Sequence, residues 1–310
     1  MMKEPVIVLT DQVTGPQTGS LVSKLPPSGY QPGHLLRDTL KNDVLHTPPY
    51  MAIGYYAHHK YLSSPIDLQR RVSSNLEQIV QPLDVWLAWL KTVEIDFICI
   101  GESHQENYRH FLAQHFFPHY PLDALYIEAR ELPAKIMNLR ADIGEDHIDL
   151  LNADIASIIR VARSVNPNIV IIGIEESGGQ RKNRRESLSG SRDQSIYENI
   201  IEHYVPGQRA AALLGALHCN HRWNWLYTKL DQPDSPLATS KLLNMRLLSE
   251  RKDLLSREWN RFMELMGYSN DNYVLMDTRS LDPLLHEWFL DLTDSLVNYQ
   301  SVVLFRSEYL

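Results

Sequence analysis

Apolar residues in this chain gather in short unbroken runs, and between the runs they recur every three or four positions. The runs are "IDFICIG" (95–101), "DALYIEA" (123–129), "IVIIGIE" (169–175) and "AALLGA" (211–216). A strand with one face in water alternates apolar and polar residues. A continuous run is the pattern of a strand covered on both faces. Between the runs, "ENYRHFLAQHFF" sets Tyr108, Phe111, Leu112, His115 and Phe116 at helical spacing. "DIASIIRVARSV" does the same with Ile155, Ile158, Ile159 and Ala162, and "DQSIYENIIEHY" with Ile196, Ile200, Ile201 and Tyr204. Strand, helix, strand, repeated, predicts right-handed crossovers and an α/β fold with a mainly parallel sheet and flanking helices.

The remaining chain divides by the same criteria. Residues 66–93 read as helical, with Ile66, Val72, Leu76, Ile79 and Val80 as a stripe and Pro82 as a break. "YVLMD" (273–277) and "SVVLFR" (301–306) read as later strands, with "LLHEWFLDLTDSLVNY" as the helix between them. Residues 222–270 read as mostly helical, a helical cap insertion. Residues 1–65 read as an irregular N-terminal arm, because Pro, Gly and Ser crowd 11–65, with a short strand at Val6–Leu9. The expected organisation is this arm followed by a single α/β domain of catalytic type over 66–310, long enough for a sizeable core.

Composition then narrows the function classes. A formal charge of −8 gives no electrostatic case for nucleic acid as a partner. Two cysteines, Cys99 and Cys219, exclude a disulfide framework. The N-terminal apolar run is five residues long, too short for the core of a secretory signal. No stretch approaches the ~20 apolar residues of a membrane span. The expectation is a cytoplasmic protein, or one exported without a cleaved signal, with a small-molecule or peptide substrate.

In an open α/β sheet, ligands bind beyond the carboxyl ends of the strands. The first run ends at Glu102 and His104, the second at Glu128, the third at Glu175 and Glu176, the fourth at His218. Four strands therefore bring carboxylates or imidazoles to one edge. A set of His104, His218, Glu102 and Glu128 could hold a divalent metal, Zn, Mn, Fe or Co. The same set serves general acid–base chemistry without a metal, and both readings stand open. His221 lies three residues after His218 and could join it on one helical turn. Cys219 reads as a buried filler. Ser103 lacks the Gly-x-Ser-x-Gly setting of a nucleophile elbow. "GGQRKNRRESLSGSR" (178–192) holds five basic residues and reads as a loop, either solvated or a lid that recruits an anionic substrate.

Gly101-Glu102-Ser103-His104, then Glu128, then Arg192-Asp193 at a helix start, then Gly215-Ala216-Leu217-His218 resemble, in that order, one superfamily. It includes erythromycin esterase-like hydrolases, ChaN-like haem-binding lipoproteins and the TIKI/TraB proteins. The resemblance implies a hydrolase of ester or peptide bonds with Glu102, His104, Glu128, Arg192 and His218 as catalytic residues and Glu175 close by. In a metal version, His104, His218 and a glutamate hold the ion, whose bound water another glutamate deprotonates. In a metal-free version, His104 is the general base, held in its tautomer by a glutamate. Arg192 would stabilise an oxyanion or orient a glutamate. The alternative it implies is a ligand-binding module or effector of the same fold, for haem or another ligand, without turnover.

Overall fold

A computed structural model gives the fold and describes residues 49–104, 106–128, 142–187, 191–221, 225–249, 254–268, 272–289 and 298–305. Most of the expected arm, including Val6–Leu9, lies outside the described residues. In chain order the elements are helix α1 (Pro49–Ser63), α2 (Ile66–Ile79), strand β1 (Val80–Pro82), α3 (Leu83–Thr92), β2 (Phe97–Glu102) and α4 (Glu106–Phe111), which runs into a π-helical turn at Leu112–Phe116. There follow β3 (Ala124–Ile127), α5 (Glu145–Ile148), α6 (Ala153–Val165), β4 (Val170–Gly173), α7 (Gly178–Ser187), α8 (Arg192–His203) and β5 (Ala210–Gly215). A 3₁₀ turn (Ala216–Cys219), α9 (Leu226–Leu230), β6 (Leu242–Ser249), α10 (Leu254–Leu265), β7 (Tyr273–Met276), α11 (Pro283–Trp288) and β8 (Ser301–Phe305) complete the set. Among the described residues no helix is long and apolar enough to cross a membrane.

The strands are mostly parallel, and β6-β2-β5-β3-β4 lie side by side in that order. The chain's contacts divide it into two compact units, where one domain was expected from residue 66. The first comprises the described parts of Met1–Gln81, Ser249–Val297 and Leu304–Arg306, the second those of Pro82–Leu248, Asn298–Val303 and Ser307–Leu310.

The second unit carries the crossovers. β2 pairs in parallel with β5 and with β6, and β3 pairs in parallel with β5 and with β4. The unbroken apolar runs have the burial they imply: Phe97, Ile98, Cys99 and Ile100 of β2 and Ala211 to Leu214 of β5 are wholly buried. The helical stripes supply the covering. Tyr108 and Leu112, Ile158 and Ile159, and Ile196 and Ile200 are all buried. Each large apolar side chain so buried contributes about 1.5–3 kcal/mol. Parallel pairing then puts the last residues of β2, β3, β4 and β5 on the same edge.

In the first unit, α1 falls where the irregular arm was expected. Pro49 opens it, at a position where a missing amide hydrogen is harmless. Gly54 lets it cross α10 closely: a Cβ there would lie 2.7 Å from the Glu258 carbonyl oxygen. Arg71 forks onto Asp282 at 2.7 and 3.0 Å, and Asp282 also caps α11 at the Leu284 amide.

Two further expectations need correction. Residues 222–270 are not a helical cap throughout: α9 and the start of α10 lie there, but so does β6, hydrogen-bonded beside β2. Asn244 and Arg246 interrupt its apolar run, yet Asn244 is buried because its amide donates to the carbonyls of Cys219 (2.9 Å) and Asn298 (2.8 Å). The basic stretch is helical over Gly178–Ser187, not a loop. Ser177 and Gln180 cap its start reciprocally, each side chain accepting from the other's amide.

Candidate functional site

The five residues singled out from the strand ends and the Arg-Asp pair, Glu102, His104, Glu128, Arg192 and His218, meet at the carboxyl edge of the second unit's strands. Glu102 is the last residue of β2, and Glu128 follows β3 directly. Glu175 lies two residues beyond β4, and His218 sits in the 3₁₀ turn after β5. Arg192 is the first residue of α8, whose N-cap is Ser191, its hydroxyl accepting from the Gln194 amide. Glu102, Glu128, Glu175 and His218 are all buried.

His104 reaches this cluster through a strained turn. Its φ is 54°, in the left-handed region, which costs an L-residue about 1–2 kcal/mol. The turn sends the ring back over the strand ends, so that a Cβ on Gly215 would lie 2.7 Å from His104 Nε2. His104 Nδ1 is 3.1 Å from Glu102 Oε1, and Nε2 is 3.5 Å from Glu128 Oε2. Neither is a well-aligned hydrogen bond, and both become ion pairs when the imidazole is protonated. Glu102 beside Nδ1 raises the imidazole's pKa most; burial opposes that, and Glu128 adds to it.

Arg192 organises the other half. Its Nε donates to Glu175 Oε1 at 2.8 Å, and its Nη2 donates to Glu175 Oε2 and to Glu128 Oε1 in two close contacts. Its Nη1 lies 3.0 Å from His218 Nε2. A guanidinium only donates, so His218 Nε2 accepts and the ring proton sits on Nδ1. That nitrogen is 2.9 Å from Asp193 Oδ1. Asp193 Oδ2 in turn accepts the Leu226 amide at 2.7 Å. Glu128 lies between the halves, and its Oε2 accepts the Gly215 amide at 2.6 Å. Burial pushes the Glu128 carboxyl upward, but its neighbours, among them His104, the Gly215 amide and Arg192, outweigh it and hold the pKa below its ordinary value.

Three residues that strand-end reasoning left without a role belong to the same network. Asp193 was visible only as half of the Arg-Asp pair. Arg109 is buried in α4, with Nε 3.3 Å from Glu102 Oε1 and Nη1 2.8 Å from Asp154 Oδ2. Glu176 receives Arg184 at 2.7 and 3.0 Å, Arg181 at 3.3 Å and the Ser195 hydroxyl at 3.3 Å. Other candidates fall away from the cluster. His221 pairs with Asp231 at 3.0 Å. Cys219 and Cys99 are buried free thiols, and burial raises the Cys219 pKa well above its ordinary value.

Chemically, the edge offers an imidazole braced by a carboxylate, a guanidinium held in place by two carboxylates, and a second imidazole with a fixed tautomer. Among the described residues no group of three or more His, Cys, Asp or Glu side chains is placed to hold a metal ion. The space among Glu128, Glu175 and His218 is filled by the Arg192 guanidinium.

No family model and no curated protein matches the chain. Among solved structures, one described as "Crystal structure of bacterial protein toxins" aligns at 9% identity over 77% of this chain and 56% of that one, with a TM-score of 0.33. Another, described as "Bacterial protein toxins", aligns at 13% identity over 76% of this chain and 56% of that one, with a TM-score of 0.31. The chain thus spans little more than half the length of the structures it matches, and likeness at this level carries no functional information.

Proposed function

We propose that the protein is a hydrolase of ester or peptide bonds in which His104 is the general base and no resident metal is needed. The observation that carries this reading is the pairing of His104 with Glu102, set beside the Arg192 guanidinium at the carboxyl edge. Glu102 faces Nδ1 and leaves Nε2 turned toward Glu128 across 3.5 Å. A water held there would give its proton to Nε2 as it attacks the carbonyl carbon. The imidazolium formed is stabilised by Glu102 and Glu128, and it returns the proton to the leaving group. Arg192, bonded to the Glu128 that faces Nε2, would meet the charge that develops on the reacting oxygen.

Metal independence is supported by the donors themselves. His218 Nε2 accepts from Arg192, and both oxygens of Glu128 already accept hydrogen bonds. A divalent ion would have to displace a guanidinium anchored by two carboxylates. One observation favours a second reading, a binding module without turnover: the buried groups of the cluster are already paired with one another, as in a network whose role is to hold a shape.

The test is turnover of activated aryl esters and short peptides by the purified chain. Parent and His104→Ala would be compared, each with and without a chelator. The expected result is hydrolysis that survives the chelator and falls at least ~100-fold in the variant. Loss of the parent rate on chelation would overturn metal independence. Saturable ligand binding with no turnover would move the reading to the binding module.

A further inference from the structure

We infer that α7 is a fixed anion-binding arm of the site, so that the substrate carries an oxyanion group, phosphate or carboxylate, which Arg181, Lys182 and Arg185 receive. The word substrate rests on the hydrolase reading; the anion site itself does not.

Charge is the first ground. The chain as a whole is at −8, yet the ten residues of α7 hold Arg181, Lys182, Arg184 and Arg185 against a single acid, Glu186. The second ground is how these cations are held. Arg184 forks onto buried Glu176 and satisfies it. Arg181 reaches the same carboxylate by one longer contact of 3.3 Å and remains 48% exposed. Lys182 is 73% exposed, its distance to Glu186 being 3.7 Å. Arg185 is exposed too. Three cations are therefore open to solvent on a helix whose one buried acidic contact is already taken.

The third ground is where the helix is rooted. Glu175 and Arg192, which flank the excursion containing α7, are hydrogen-bonded to each other at 2.8 Å. Gln180 donates to Asn199 of α8 at 2.8 Å, and Asn199 donates to the carbonyls of Ile174 and Glu175. Arg184 and Arg181 both contact Glu176, the residue next to Glu175, and the helix that carries the other cations is about 15 Å long. Their field falls off over a Debye length of about 8–10 Å at ordinary salt. An anionic group on a ligand entering the site would meet it.

The experiment titrates inorganic phosphate into the parent and into the variant Arg181→Gln/Lys182→Gln/Arg185→Gln by calorimetry. All three positions are exposed, and Arg184, the anchor, is left intact. Phosphate should bind the parent, more weakly as salt rises, and about tenfold more weakly in the variant. Charge-preserving Arg181→Lys/Arg185→Lys should restore most of the loss. In parallel, kcat/KM is measured for matched esters bearing a phosphate, a carboxylate or no charge. The variant should lose rate on an anionic ester through KM and keep its rate on the neutral one. Whichever anionic ester loses more names the group. Equal phosphate binding by parent and variant, no binding to the parent, or an equal loss on the neutral ester would overturn the anion site. Phosphate binding that depends on the three residues, without turnover of any ester, would retain the anion site and defeat the hydrolase reading.

Discussion

Arg192 Nη1 stands 3.0 Å from His218 Nε2, and the same guanidinium binds Glu175 and Glu128. One side chain thus balances two buried carboxylates and fixes the tautomer of an imidazole. The arrangement depends on the planar fork of arginine, which presents donors in several directions at once.

Replacing that fork should therefore be costly even when the charge is kept. Arg192→Met leaves Glu128 and Glu175 without their common cation, and breaking such a buried set costs about 3–5 kcal/mol. Arg192→Lys should recover part of this stability, because an ammonium can reach one carboxylate but cannot also hold His218. Its turnover should nevertheless stay at least ~100-fold below the parent. Chemical denaturation and steady-state kinetics on the two variants check both halves. Parent-like kinetics in Arg192→Lys would show that only charge matters at this position.

The two titrating members of the site point in opposite pH directions. His104 has its pKa raised above 6.5, chiefly by Glu102. Its stabilising contribution is complete below about pH 6.5 and is lost as pH rises through the folded-state value. Glu128 is held below 4.5, so its contribution is present above pH 4.5 and is lost as pH falls through the depressed value. Melting temperature should peak between these limits. His104→Gln should flatten the alkaline side and move the acid side less, because the Gly215 amide and Arg192 still hold the Glu128 carboxyl down. A general base must be unprotonated, so kcat/KM should rise through a limb lying above pH 6.5, where the ion pair is being lost. A rate limb below pH 6.5 would remove His104 from the base role.

The left-handed backbone at His104 gives a separate check on whether the ring is there for the fold. His104→Gly removes the ring and relieves the φ of 54°, whereas His104→Ala removes the ring and keeps the strain. The glycine variant should be more stable than the alanine variant by about 1 kcal/mol. Both should be equally inactive, because the strain serves only to aim the ring. Thermal melts and ester kinetics on the pair decide it. An inactive, strongly destabilised glycine variant would make the ring structural.

What could be read from the chain alone follows from the range of the forces involved. β2, β3, β4 and β5 were legible because strands covered on both faces need unbroken apolar runs, and their ends put Glu102, His104, Glu128, Glu175 and His218 in view. β6 was hidden because Asn244 and Arg246 break its run, and only the carbonyls of Cys219 and Asn298, distant in sequence, make a buried Asn244 acceptable. α1 was hidden by Pro49 and Gly54, which read as loop residues until the close crossing with α10 explains the glycine. Arg109 sits in a helical pattern where a cation reads as solvated. Its burial depends on Asp154, 45 positions later. The basic stretch read as a loop because its helix has no apolar stripe; Glu176, an acid outside it, anchors it instead.

Gly215 offers the sharpest steric test of the site. Its φ of −58° and ψ of 140° are open to any residue, so an alanine there strains no backbone and acts only through its Cβ. That atom would lie 2.7 Å from His104 Nε2, 3.4 Å from Glu128 Oε2 and 3.4 Å from His218 Cδ2. Glu128 is held by Arg192 and by the Gly215 amide itself, so the ring of His104 must give way. Gly215→Ala should cost about 1–3 kcal/mol, the usual price of overpacking, and lower kcat at least ~10-fold with an unchanged circular dichroism spectrum. Gly207→Ala is the matched control. Gly207 has a φ of 82° with open space around it, so its alanine variant should lose stability through the backbone alone and keep the parent kcat. A Gly215→Ala protein with parent kcat would mean that the position of His104 does not govern turnover, and the general-base assignment would fail with it.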